Sequence, residues 1–249
     1  MTDWNDKEQV IKAVSENGNL LSNARKELRG DREIVLAAVQ NRGEAFDFAN
    51  EELQKDRKFV LAAVQKNGEV LRDVSDEFQA DREVVLAAVE NHGKALRYAT
   101  DELRADREIV LTAVKNDGEA LAYSSKELRA DREIVLASFQ KFSISLPFSY
   151  ISEELKADRE IVLAAVQVDG KEALRSASEG FRADREIVSE AVRTNAAALK
   201  FVSKEFRADR EIILTAVQNG YGDALEYASK ELRADREIIL AAVQNGYGD

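Results

Sequence analysis

An Asp-Arg-Glu tripeptide followed by an aliphatic run returns at nearly fixed intervals along the 249 residues. Its Asp falls at Asp6, Asp31, Asp56, Asp81, Asp106, Asp131, Asp158, Asp184, Asp209 and Asp235, at spacings of 25, 25, 25, 25, 25, 27, 26, 25 and 26 residues. Self-similarity of this period is the signature of a repeat array, and each unit must bury its apolar surface on its neighbours. The unit reads roughly D-R-E-I-V-L-A-A-V-Q-x-x-G-x-A-L-x-Y-A-S-x-E-L-R-A. Nine full repeats and half of a tenth account for the chain, with no Gly/Ser tract or charge block between them. The reading is therefore one helical-repeat domain over 1–249.

Each repeat is read as a pair of short helices. Helix A opens at the Asp, whose side chain is suited to cap the free N–H groups of a first turn, and the Glu two residues on complements the helix dipole. A Gly twelve residues after the Asp (Gly18, Gly43, Gly68, Gly93, Gly118, Gly170) is expected to end helix A in the left-handed conformation. Helix B runs to the next Asp, with apolar residues ten, seven and three positions before it, such as Leu96, Ala99 and Leu103; steps of three and four mark one helical face. Helix A is apolar nearly all round, as in Ile34-Val35-Leu36-Ala37-Ala38-Val39, so it must be covered on several sides. A single Pro in the whole chain agrees with helix throughout. The expected fold is all-α, an α-solenoid of about nine and a half helical hairpins.

Composition narrows the chemistry. There is no Cys and one His, which removes thiolate catalysis, disulfides and Cys- or His-based metal sites. No Gly-rich phosphate loop, GxSxG or HExxH is present, and Gly220-Tyr221-Gly222 recurs as Gly246-Tyr247-Gly248, a turn variant. The paired carboxylates Glu51-Glu52 and Glu153-Glu154 recur with the repeat and mark no unique acid/base site. No catalytic residue, cofactor or metal is expected. The polar, acidic start and the absence of a long apolar stretch predict neither targeting signal nor membrane span, hence an intracellular, soluble, by default cytoplasmic chain.

The stretch ELRADREIVLAAVQNGYGDALEYASKELRADREIILAAVQ resembles tandem copies of the domain-of-unknown-function family 4116, and the resemblance covers essentially the whole sequence. It implies a helical repeat and carries over no catalytic residue or cofactor. Such repeats occur in bacteria, algae and other protists. From the resemblance alone comes a special case, a peripheral linker subunit of a large, membrane-associated photosynthetic complex.

Six features are weighed for function. An Arg follows the Asp in every repeat but the first, from Arg32 and Arg57 to Arg236, and a second row (Arg104, Arg129, Arg182, Arg207, Arg233) lies three residues earlier. A ladder of guanidiniums suits phosphate, but the net charge is −11 and repels nucleic acid. The rows are expected to pair with acids of neighbouring repeats, for instance Arg107 with Glu102 or Glu127. The sixth repeat departs most from the pattern, with no Gly, the only Pro (Pro147) and two extra residues. Its Phe139, Phe142, Ile144, Leu146 and Phe148 are read either as fillers of a kink or as an apolar patch that binds a protein partner. An aromatic column eight residues before the Asp (Phe48, Tyr98, Tyr123, Tyr150, Phe201, Tyr227) is expected at the edge of the core. His92 is read as a solvated turn residue, and Trp4 as cover for the first repeat. The array stops after helix A of the tenth repeat, so that helix is expected either to belong to a longer array or to dock on another chain. The function expected from all this is a non-catalytic protein–protein interaction scaffold or linker subunit. It would bind through a solenoid face, the sixth repeat and the open C-terminal end. The alternatives are polyanion or nucleic-acid binding through the Arg rows, and an enzyme.

Overall fold

The computed structural model describes residues 2–140, 148–219 and 223–245. Among them every regular element is helical, and the chain is an α-solenoid of tandem repeats. It divides into two compact halves, Met1–Leu128 and Arg129–Asp249. Helix A of the ten repeats supplies α1 (Lys7–Glu16), α2 (Arg32–Asn41), α3 (Arg57–Lys66), α4 (Arg82–Asn91) and α5 (Arg107–Asn116) in the first half. The second half holds α6 (Arg132–Phe139), α7 (Arg159–Ser176), α8 (Arg185–Thr194), α9 (Arg210–Gln218) and α10 (Arg236–Gln244). The Asp cap forms as expected: Asp31 Oδ1 accepts from the N–H of Glu33 at 3.0 Å and of Ile34 at 3.3 Å.

Within each half, consecutive A helices pack on one another. Counting from the Asp as zero, the residues at positions 3, 4, 7 and 8 form the core. Ile34, Val35, Ala38 and Val39 are fully buried, as are Val84, Val85, Ala88 and Val89. Burying one such Val or Ile is worth roughly 1.5–3 kcal/mol. A ten-residue helix does not hold alone, so this seam between repeats carries the stability.

The Gly does not act as expected. Gly18, Gly43, Gly68, Gly93 and Gly170 all stay out of the left-handed region. Helix A ends instead on an extended residue at position 11, such as Asn67 (φ −152°, ψ 106°) or His92 (φ −142°, ψ 100°). The long helix α7 breaks at the same register, at Asp169 (φ −149°, ψ 99°). Gly is required because the next repeat lies against it. A Cβ on Gly68 would sit 2.3 Å from the Ala88 carbonyl oxygen, and one on Gly170 2.1 Å from that of Ala191.

Helix B is not one helix. In the first half it is a 3-10 segment (Gly18–Asn23, Gly43–Phe48, Gly68–Arg72, Gly93–Tyr98, Gly118–Tyr123), a break, and a short second turn such as Glu51–Lys55 or Asp101–Arg104. The three-residue step between the first two apolar positions is the step that a 3-10 turn eclipses, and it places Phe46 and Ala49 in the core. At the break the free N–H crosses to the preceding repeat: Asn50 donates to the Arg29 carbonyl at 2.9 Å, Ser125 to Arg104 at 2.8 Å, Ser229 to Arg207 at 2.8 Å.

Candidate protein-interaction surfaces

The first Arg row is built into the seam. Asp81 both caps its helix and holds the preceding repeat, and its Oδ1 takes part in both, accepting from Arg57 Nη2 at 3.0 Å as well as from the backbone. Oδ1 caps α4 through the N–H of Glu83 at 3.0 Å and of Val84 at 3.2 Å. Oδ2 accepts from Arg57 Nε of the preceding repeat at 2.6 Å, and Arg57 also reaches Glu83 at 2.7 Å. The Arg57 hydrogen bond, against some desolvation, holds the Asp81 carboxyl below its usual range. The same two-pronged clamp joins Lys7 to Asp31 and Glu33, Arg82 to Asp106 and Glu108, and Arg132 to Asp158 and Glu160. It recurs from Arg159 to Asp184 and Glu186, from Arg185 to Asp209 and Glu211, and from Arg210 to Asp235 and Glu237. Arg32 has one acid in place of two. Position 2 of its neighbour is Lys58, so it holds Asp56 alone and lies 5.6 Å over the Phe59 ring. The acids in these pairs stand at the head of the next repeat, not in helix B as expected, because neighbouring helix N-termini lie side by side.

The second row turns inward. Arg182 donates to the Leu174 carbonyl at 3.0 Å and the Arg175 carbonyl at 2.8 Å, closing the end of the helix before it. Gln79 does the same at Leu71 at 3.0 Å, Gln54 at Phe46 at 3.2 Å, and Arg207 at Lys200 at 3.0 Å. These side chains satisfy carbonyls that a short helix leaves free. Neither row, where its partners are described, presents an open array of cations.

Of the five sixth-repeat candidates, Phe139 and Phe148 fall within the described residues. Phe139 and Phe148 are buried, 9% and 3% exposed, and line one small cavity with Val168 and Ala173 of α7. Both occupy core registers: Phe139 stands at position 8, where other repeats carry Val, and Phe148 stands ten before Asp158, where Phe46 stands before Asp56. Phe139 also lines an open groove of about 360 Å³ with Leu136, Gln140, Glu160 and Gln167. Phe142, Ile144 and Leu146 lie outside the described residues.

The apolar surface is at α10. Ile239, Leu240 and Val243 are 39%, 50% and 52% exposed. At the registers of Ile239 and Val243, the residues Val188, Val192, Ile213 and Val217 of the two preceding helices are at most 1% exposed, whereas at the register of Leu240 the residues Ser189 and Leu214 are half-buried. Arg236, at the clamp position, is exposed and has no acidic partner among the described residues. This face is exposed at α10.

The family described as Domain of unknown function (DUF4116) matches residues 6–54, 56–104, 106–149, 145–182, 184–221 and 209–247. The chain belongs to the DUF4116 family. Its first two matches each span two of the Asp-led repeats. A search of curated proteins found no match. Among the described residues of this DUF4116 array no group of three or more His, Asp or Glu is placed to hold a metal ion, and no helix is long and apolar enough to cross a membrane.

The aromatic column lies at the core edge, as its spacing predicts: Phe48, Tyr98, Tyr123, Phe201 and Tyr227 are half-buried and Tyr150 is exposed. Arg97 packs 4.5 Å from the Tyr98 ring centre and bonds its hydroxyl. His92 ends α4, with Nε2 3.6 Å from Glu69. Trp4 is half-buried beside α1.

Two sets of residues escaped the sequence reading. Asn at position 10 staples adjacent repeats: Asn91 Oδ1 accepts from Gly68 N–H at 2.8 Å and its Nδ2 donates to the Gln65 carbonyl at 3.1 Å. Asn41 and Asn116 repeat both bonds. Ser, Thr or Asn six before the Asp marks the break in helix B, where Asn50 caps the Leu53 N–H at 3.0 Å. Recurrence of these two types at one register was the available signal.

Proposed function

We propose that this chain is a non-catalytic protein-interaction scaffold, and that the exposed face of α10 is its docking surface. One observation supports the reading: Ile239 and Val243 stand open at registers that are closed in the two helices before it, and Leu240 beside them, at a register half-buried there, is exposed. Covering what remains of these three side chains is worth roughly 3 kcal/mol before association costs, at 1.5–3 kcal/mol per full side chain. That is enough to anchor a contact with further polar bonds around it. The partner is a protein and not a polyanion, since the Arg side chains seen in clamps are already neutralised by two carboxylates each. The experiment is affinity capture from native lysate with the wild-type chain and with L240E/V243E in parallel. One dominant protein held by the wild type and lost by the variant is the expected result. An identical set of captured proteins for both chains removes α10 as the docking surface.

A further inference from the structure

Three repeats carry an Arg nine residues before the next Asp: Arg72, Arg97 and Arg175. Two of the three are neutralised by nearby acids. Arg72 binds both oxygens of Asp73, one residue on, at 2.7 and 3.1 Å, and reaches Glu44 of the preceding repeat at 3.3 Å. Arg175 binds Glu172, three residues back, at 2.5 Å. In the fourth repeat both registers have changed. Tyr98 stands where Asp73 does, and Lys94 stands where Glu172 does. Lys94 is itself taken up by Asp117 and Glu119. Glu69, at the register of Glu44, faces His92 at 3.6 Å instead of Arg97.

Phenols replace the acids at Arg97. Its guanidinium lies 4.5 Å from the Tyr98 ring centre and donates to the Tyr98 hydroxyl. That oxygen, and after it the phenol of Tyr123 in the next repeat, holds Arg97 above its usual range, as hydrogen bonds to a charged form do. No carboxylate pairs with Arg97 among the described residues, and neither phenol O–H finds an acceptor there. Arg97 is exposed and both Tyr are half-buried, so the three side chains make a surface patch. What it offers is donors: the remaining guanidinium N–H groups and two O–H groups. The complement of such a patch is a group that only accepts, and an ionised carboxylate is one. Its two oxygens match the guanidinium fork.

We propose that Arg97, Tyr98 and Tyr123 form a recognition site for a side-chain carboxylate, Asp or Glu, of a protein partner. The chain itself shows the ligand: Asp73 and Glu172 supply that group to Arg72 and Arg175 at the same register. A monoanion is favoured over phosphate, because a chain of net charge −11 repels a dianion more. A free small acid gains little on an exposed patch. A carboxylate carried by a protein also covers the two phenol rings, and Tyr and Arg are the types in which interfaces concentrate their energy. The site stands in the first half of the chain and does not rest on the reading of α10.

The test is a nuclear magnetic resonance titration of the full-length, isotopically labelled chain, read at the Arg Nε–H signals at constant ionic strength. Arg97→Gln assigns the signal. Three probes are compared: N-acetylaspartate N-methylamide with a side-chain carboxylate, N-acetylglycine with a chain-terminal one, and inorganic phosphate. The expected result is a saturable shift at Arg97 with the aspartyl probe and none at Arg72, whose acids are in place. Tyr98→Phe and Tyr123→Phe keep the rings and should each weaken binding about two- to tenfold. Arg97→Lys keeps the charge at an exposed position, loses the fork and should weaken binding as well. Circular dichroism checks that each variant is folded. No saturable shift at Arg97, an equal shift at Arg72, or indifference to all three substitutions overturns the proposal. Tighter binding of N-acetylglycine or of phosphate overturns the side-chain assignment. A response that appears only in Glu69→Gln would show that Glu69 already fills the site, and would overturn the proposal too.

Discussion

Gly68 separates two accounts of the repeat. The expected account makes it a left-handed helix end, and the structure makes it a point of close approach. In Gly68→Ala the new Cβ meets the Ala88 carbonyl oxygen at 2.3 Å and His92 Cβ at 2.9 Å, where ordinary contact begins at 3.4 Å. The overlap of 3.4 − 2.3 = 1.1 Å falls on backbone, which cannot swing aside as a side-chain tip can. Overpacking of this kind costs about 1–3 kcal/mol, offset by about 0.4–1 kcal/mol from the stiffer unfolded chain. A net loss of about 1–2 kcal/mol lowers Tm by roughly 2–8 °C for a chain of this size. Gly180 is the control, because it is helical (φ −59°, ψ −38°) and nothing lies within 4 Å of its Cβ position. Gly180→Ala should raise stability by about 0.4–1 kcal/mol. Gly68→Asn decides between the accounts. Asn tolerates the left-handed region and would partly rescue a helix end, whereas in a close contact it is at least as harmful as Ala. Urea and thermal unfolding read all three variants. Gly68→Asn more stable than Gly68→Ala, or Gly68→Ala neutral, would refute the close-approach account.

Asn91→Ala removes the acceptor of the Gly68 N–H and the donor to the Gln65 carbonyl. Leaving that buried N–H without a partner should cost about 1–3 kcal/mol, with faster amide exchange at Gly68 than at Gly93, whose Asn116 is intact. Stability should also fall in acid. The Arg57 hydrogen bond lowers the Asp81 carboxyl; in Asp31, Asp106 and Asp209 desolvation is the largest influence and acts upward, but bonds to the clamp cation and backbone N–H groups outweigh it. A carboxyl lowered in the folded state stabilises above its unfolded value, about 3.9, and that contribution is lost as pH falls through the folded value. The urea midpoint should therefore be level from neutral pH to about pH 5 and drop below about pH 4, with a shallower drop in Asp81→Asn. An acid slope unchanged by Asp81→Asn would show that the clamp does not carry it.

The period of the Asp and the aliphatic run made the all-α repeat legible, because both are set by the helix that each repeat must place against the next. The cap by Asp31 was equally plain, since one residue type has one local task. Gly was misread because its spacing is the same whether it frees the backbone or makes room for Ala88. Helix B was misread as continuous because apolar steps of three and four fit an α-helix and a 3-10 segment with a break alike. Only the recurring Ser, Thr or Asn at that register tells them apart. The Arg ladder was foreseen, but its acids were assigned to helix B, because the side-by-side stacking of helix N-termini is tertiary information. The aromatic cluster drew attention to repeat six by composition, yet the registers of Phe139 and Phe148 already assign them to the core. The surface at α10 is readable only when exposure at positions 4 and 8 is compared between repeats.

Hydrogen–deuterium exchange along the A helices tests most directly whether α10 is an open surface that a partner fills. In the free chain, α10 should exchange faster than α9, because Ile239 and Val243 are open where Ile213 and Val217 are closed. In the native assembly recovered with the chain, protection should rise at 236–244 above any other segment. Protection that rises elsewhere while α10 exchanges as in the free chain would contradict the account.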